Sequence, residues 1–173
     1  MTERRQLITQ GEQAVSDDPN LVVSTLLGSC VSCCLWDPIA RVGGINHMLV
    51  TRLSDSRVAT NMAGGNAMEL LINEIQKNGG ARGRLLAKVF GGARMVKGLS
   101  DIGAGNAAFT LNFLEQEGMH CVSKSIGGDQ ARQLMFWPAT GAARQKCVPN
   151  TQSPTDENVQ TPPEGSGNAM ELF

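Results

Sequence analysis

A chain of 173 residues that is 41% hydrophobic can bury one core, so a single domain is expected. The formal net charge of -1 excludes the electrostatic footprint of a nucleic-acid or anionic-membrane binder. The charge is uneven: the first 149 residues carry 15 basic against 12 acidic groups, a net of +3, and residues 150–173 carry -4.

No apolar run approaches the length of a membrane span, and Met1 to Gln10 has positive charge without an apolar stretch behind it, unlike a secretory signal. Five cysteines, an odd number with three clustered, do not form a secreted disulfide framework. The expectation is a cytoplasmic protein with reduced thiols and no insertion into the membrane.

In chain order, residues 21–25 (Leu-Val-Val-Ser-Thr) read as a short strand. Two hairpin strands follow at roughly 29–36 and 43–50. Asp37-Pro38-Ile39-Ala40 fits a four-residue loop, with Pro38 pre-set for the second turn position. Between Thr60 and Asn78, Met68, Leu71, Ile72 and Ile75 recur at helical spacing, and Gly79 is a plausible stop. Leu86 to Phe90 is an apolar strand ending in Gly91-Gly92. Asp101 can cap a second helix with Ala107, Leu111 and Leu114 on one stripe, ending before Gly118.

Residues 119–125 and 133–137 read as strands around Gly127-Gly128-Asp129. This order implies a layered α/β or α+β domain over residues 1–149. Residues 150–173 read as a disordered acidic tail, because Pro149 to Glu164 is too polar to pack. One repeat crosses that boundary: Gly65-Asn66-Ala67-Met68-Glu69-Leu70 recurs as Gly167-Asn168-Ala169-Met170-Glu171-Leu172, followed by Phe173. It reads either as coincidence or as an apolar docking peptide on a tether.

The hairpin brings the chemistry together. With residues 37–40 as the loop, Trp36 opposes Arg41, and counting outward Cys30 opposes His47 on one face. A thiol and an imidazole so placed can share a proton, which activates the sulfur as a nucleophilic thiolate. A one-residue slip would separate them. Gly28-Ser29, immediately before the thiol, lets a substrate approach closely and offers N–H groups to a developing oxyanion.

Cys30-Val31-Ser32-Cys33 has C-x-x-C spacing, but residues three apart on a strand face opposite ways, so no metal or redox site is expected. Cys33, Cys34, Cys121 and Cys147 read as core thiols and His120 as structural. Gly103-Ala104-Gly105-Asn106-Ala107-Ala108 is a weak match to a dinucleotide fingerprint without a leading strand, and its glycines fit close helix packing better. Phe109 and Phe113 form a second apolar strip on that helix, either sandwiched or facing a partner.

Leu27-Gly28-Ser29-Cys30-Val31, Trp36-Asp37-Pro38 and Gly43-Gly44-Ile45-Asn46-His47-Met48-Leu49 together resemble the CheD family of chemoreceptor glutamine deamidases. The similarity continues through Ala67 to Asn73, Lys88 to Ala93, Ile102-Gly103 with Asn106, and Gly127-Gly128 with Arg132, spanning roughly residues 7 to 149.

The resemblance implies a three-layer α/β/α sandwich with a mixed, largely antiparallel sheet. It also implies a Cys-His-Thr catalytic set, falling on Cys30, His47 and Ser24, with Thr25 one residue later. The implied substrates are selected glutamines and methyl-glutamates on the cytoplasmic domains of methyl-accepting chemoreceptors. The implied partner is a CheC-type phosphatase, and no metal or organic cofactor is required. Two rival classes stay open on the residues alone: a non-catalytic chemotaxis adaptor, and a cysteine peptidase or transglutaminase-like enzyme.

Overall fold

The computed structural model describes residues 2–50, 57–96, 101–149 and 170–173. Strands β1 (Arg4–Leu7), β3 (Leu21–Leu27), β8 (Ala131–Trp137), β9 (Ala142–Val148) and β10 (Glu171–Leu172) form one sheet in the order β1-β3-β8-β9-β10. Strands β2 (Gln13–Ser16), β5 (Val42–Asn46), β4 (Val31–Asp37), β6 (Leu86–Gly91) and β7 (His120–Ile126) form the other, in the order β2-β5-β4-β6-β7. Among the described residues, only β1 with β3 and β6 with β7 pair in parallel. Helices α1 (Arg57–Lys77) and α2 (Ile102–Gln116) both pack on the second sheet.

Strand alternation sorts the core into two slabs. Val31, Cys33 and Leu35 of β4 face Met68, Leu71, Ile72 and Ile75 of α1. The next residues along, Cys34 and Trp36, face Val23 and Leu27 of β3 and Phe136 of β8. A strand buried on both faces carries no polar alternation, and β4 is accordingly buried along its whole length.

The layered, mixed and largely antiparallel α/β architecture therefore stands, with a correction to the order of its layers. Opposite the helices lies the sheet of β1, β3, β8, β9 and β10, so among the described residues the layers run helix, sheet, sheet. No described helix is long and apolar enough to cross a membrane.

Asp37 fixes the hairpin. Its side chain is fully buried and accepts hydrogen bonds from the N–H of Ile39 and Ala40 in the turn and of Ala81 across the chain, besides an ion pair with Arg84. Burial pushes the carboxyl upward, but Arg84 and these three N–H groups outweigh it and hold Asp37 far below the usual carboxylate range. Because Asp37 remains in the strand, the loop is Pro38–Arg41 rather than 37–40. Asp37 opposes Val42 and Trp36 opposes Gly43, with Arg41 at φ +58°.

The tail reading needs a correction too. Residues 150–169 lie outside the described residues, but Glu171–Leu172 pairs antiparallel with β9, and the Phe173 N–H donates to the Ala143 carbonyl at 2.9 Å. The Phe173 ring meets Phe90 edge-on at 5.5 Å. Lys88, a lysine buried between the sheets, donates to the carbonyls of both Gly141 and Phe173 at 2.7 Å and lies over the Trp36 ring.

The sequence repeat is not a structural one. Met68-Glu69-Leu70 is helical in α1, while Glu171-Leu172 forms the edge strand β10, with Gly167 to Ala169 outside the described residues. Partial burial of Phe173 is worth about 1–2 kcal/mol. Truncation after Pro149 is thus expected to lower the melting temperature by about 3–6 °C in differential scanning fluorimetry. An unchanged melting curve would show that the strand contributes nothing.

Candidate active site

The chain leaves the first sheet at Leu27 and enters the second at Val31, so Gly28-Ser29-Cys30 is the crossover between the two sheets. Its three successive carbonyls are all held from the body of the protein. Gly28 accepts from the Ala93 N–H at 3.0 Å, Ser29 from the Asn106 amide at 2.8 Å, and Cys30 from the Gly92 N–H at 2.9 Å. No hydrogen bond among the described residues uses the N–H of Ser29 or Cys30. Residues pinned by their carbonyls leave those donors for an incoming acceptor.

The Gly91-Gly92 turn beside them has φ values of +107° and +69°, a conformation for which glycine is suited. On its far side Gly127 donates to the Gly91 carbonyl and the Arg94 N–H donates to Gly128. The nearly buried guanidinium of Arg132 in turn donates to the carbonyls of Ser125 and Gly127. Arg132 thereby braces the turn on which the Cys30 carbonyl rests.

The imidazole comes from just beyond β5. Val31 and Met48 exchange both backbone hydrogen bonds, which places His47 diagonally across from Cys30 on the same face. Direct opposition was expected, and the observed pairing is shifted by two residues. A shift of two preserves the face where a shift of one would not.

The His47 N–H donates to Glu12 and its carbonyl accepts from Gly11, so the loop before β2 wraps the histidine. Its Nδ1 lies 2.7 Å from the Thr25 hydroxyl, and that hydroxyl lies 2.8 Å from the Ile8 carbonyl. The carbonyl can only accept, so the hydroxyl donates to Ile8 and accepts from Nδ1–H. This assigns the free lone pair to Nε2.

The residue on the imidazole is therefore Thr25 and not Ser24. Adjacent residues of a strand face opposite ways. Val23, Thr25 and Leu27 point into the molecule, whereas Ser24 points out, opposite Leu7 of β1 and Met135 of β8.

Burial pushes the half-buried Cys30 thiol up from its ordinary value and the His47 imidazole down, with Glu12 opposing the latter weakly. Both shifts favour the neutral thiol and the neutral imidazole over the preformed thiolate expected. A neutral imidazole with a free Nε2 has the chemistry of a proton acceptor. A cavity of about 160 Å³ opens beside it, lined by residues including Gln10, Gly11, Asn46, His47 and Gly64.

Asn106 is the residue that sequence reasoning undervalued. It is fully buried on α2, its amide donates to Ser29, and its Oδ1 accepts from the Val50 N–H at 2.9 Å. One carboxamide ties the crossover that carries Cys30 to the segment that carries His47. A polar residue on the buried face of an amphipathic helix was the available signal. Gly103 makes the bridge possible: a Cβ there would sit 2.4 Å from the Gly92 carbonyl, so only glycine lets α2 approach this closely.

Asn106→Asp keeps the acceptor for Val50 and loses the donor to Ser29. It is expected to lower kcat at least about ten-fold with little change in KM, measured well below the variant's melting temperature. An unchanged kcat would remove Asn106 from any positioning role.

The C-x-x-C pair is split as expected, with Cys33 in the core under the helices and Cys30 packed toward the other sheet; Cys33 and its neighbour Cys34 are both fully buried and pushed far up by burial. His120 lies exposed at the start of β7. Phe109 and Phe113 are half-buried against the helix-side core with ring centroids 6.4 Å apart, which is the sandwiched arrangement.

The chain matches a family model described as CheD chemotactic sensory transduction over residues 48–147. It is 49% identical over 158 residues to a Caulobacter vibrioides (strain NA1000 / CB15N) protein, covering 90% of this chain and 84% of that one. The chain belongs to the CheD family. That relative is named "Probable chemoreceptor glutamine deamidase CheD", as is one from Rhizobium leguminosarum bv. trifolii (strain WSM2304), 45% identical with both chains covered in full. Among solved structures, the Bacillus licheniformis hypothetical protein YfiH aligns at a TM-score of 0.46 and 14% identity, over 72% of this chain and 60% of that one.

Proposed function

We propose that this CheD-family protein is a protein-glutamine deamidase acting on chemoreceptors, with Cys30 as nucleophile, His47 as general base and acid, and Thr25 as the group that orients the imidazole. The observation that carries the catalytic assignment is the buried relay from Ile8 through Thr25 to His47. It fixes one tautomer and leaves the Nε2 lone pair free, on a histidine that shares a face with Cys30.

His47 Nε2 takes the Cys30 proton as sulfur attacks the side-chain carbonyl carbon of a receptor glutamine. The oxygen's developing charge meets the N–H groups of Ser29 and Cys30. Collapse breaks the C–N bond, and the imidazolium delivers its proton to the departing ammonia. Water, deprotonated by His47, then cleaves the thioester and leaves glutamate. A methyl-glutamate reaches the same acyl-enzyme by loss of methanol, so esterase activity needs no second site.

The chemistry requires no metal or organic cofactor. The substrates are the cytoplasmic domains of methyl-accepting chemoreceptors, which places the protein in the bacterial cytoplasm, with a CheC-type phosphatase as binding partner. Mass spectrometry of a receptor helical fragment incubated with the protein tests the reading. The expected result is conversion of glutamine to glutamate with the backbone intact. Backbone cleavage, cross-linking to lysine, or an unmodified fragment would overturn it.

A further inference from the structure

The hydrogen bond recorded for the Cys30 thiol does not go to His47. The Sγ–H donates to Oε1 of Gln10 at 3.9 Å, a weak contact, but one made by the same functional group that the enzyme attacks. Gln10 also lines the cavity beside His47. Its loop is held in place: Gly11, at φ +87°, donates to the His47 carbonyl, Glu12 accepts from the His47 N–H, and the Glu12 carboxylate caps Thr9. A glutamine side chain on a pinned loop thus reaches the nucleophile of a glutamine deamidase.

We propose that Gln10 is a built-in pseudosubstrate, whose carboxamide fills the seat of the receptor glutamine and holds the thiol proton until substrate displaces it. The inference rests on the deamidase reading of Cys30. Gln10 does not react, because its oxygen is turned toward the sulfur. A carbonyl oxygen in that position receives the thiol hydrogen and makes no hydrogen bond to the N–H groups of Ser29 and Cys30, so a tetrahedral intermediate on Gln10 would lack their charge stabilisation. While the thiol donates to Gln10 it cannot donate to His47. Displacement by a substrate carboxamide, oriented the other way round, therefore opens the seat and redirects the proton in one step. Gln10 is exposed and its side chain can swing out without disturbing the core.

The test compares wild type with Gln10→Ala and Gln10→Asn, the latter keeping the amide but falling short of the sulfur. Iodoacetamide alkylation of Cys30 and steady-state deamidation of a receptor fragment are both measured. Both variants are expected to alkylate about two- to ten-fold faster, the factor for one ordinary hydrogen bond, and to lower KM by the same factor. Unchanged melting temperatures show that the fold is intact.

Slower alkylation or a higher KM would overturn the proposal, since Gln10 would then be assisting the reaction. So would equality with wild type. So would a wild-type protein in which Gln10 is converted to glutamate while Cys30→Ala keeps it as glutamine, since Gln10 would then be a substrate. If no variant deamidates receptor, the deamidase reading fails. The alkylation comparison still reports whether Gln10 covers the thiol.

Discussion

Cys30→Ala is expected to reduce receptor deamidation at least about 10⁴-fold, to the rate of the uncatalysed reaction plus binding alone. Nothing else within the crossover can form the acyl-enzyme. Ser29 offers an alcohol, a far weaker nucleophile than a thiol, and Cys33 and Cys34 are fully buried with their thiols pushed far up. His47→Gln is expected to cost about 10²–10⁴-fold, the ordinary worth of a positioned general base.

The sign of the pH dependence follows from the resting protonation states. Catalysis needs neutral imidazole, and burial lowers the His47 pKa below 6.5, so kcat/KM should rise with pH through an inflection on the acid side of 6.5. Burial raises the Cys30 thiol above its ordinary value, so no second rise belongs in the neutral range. Ammonia release by wild type and His47→Gln across pH 5 to 9 checks both statements. A wild-type inflection above 6.5, or an acid limb that survives in His47→Gln, would transfer the base role to another group.

The parts of this molecule that the sequence exposes are those with a strong pattern. The helix over Met68 to Ile75, the Asp101 cap and the Leu86 to Phe90 strand announce themselves by period or by cap chemistry. Strands β1 and β9 do not. Every residue of Arg4–Leu7 is exposed, and the inward face of Ala142–Val148 carries Ala143 and Gln145, too small or too polar to mark a buried face.

The sheet of β1, β3, β8, β9 and β10 was hidden for the same reason. Half of its partners are strands whose identity depends on what they pair with. The site was legible in its face but not in its register. Counting from the turn gave the right parity for Cys30 and His47, and erred by two because Asp37 stays in the strand to collect three N–H groups. Asn106, Gln10 and Arg132 act through contacts 77, 20 and 7 residues away in the chain, and no local pattern encodes the first two.

The third catalytic position gives the most discriminating of the remaining variants. Thr25→Val keeps the shape of the side chain and removes the hydroxyl. The Ile8 carbonyl loses its donor and the His47 Nδ1–H loses its acceptor, both in a buried setting. The imidazole is then no longer held in the tautomer with Nε2 free, and kcat is expected to fall about 10–100-fold, the equivalent of one unsatisfied buried polar group.

Imidazolium also loses the acceptor for Nδ1–H, so the acid inflection should move further down. A purely structural defect would not produce that shift. Thr25→Ser restores the hydroxyl and should recover activity to within about three-fold. Ser24→Ala should behave as wild type, because that side chain points away from His47. The decisive comparison is kcat for these three variants at a temperature well below their melting points. If Ser24→Ala loses activity while Thr25→Val retains it, the imidazole is oriented by a different residue in the working enzyme.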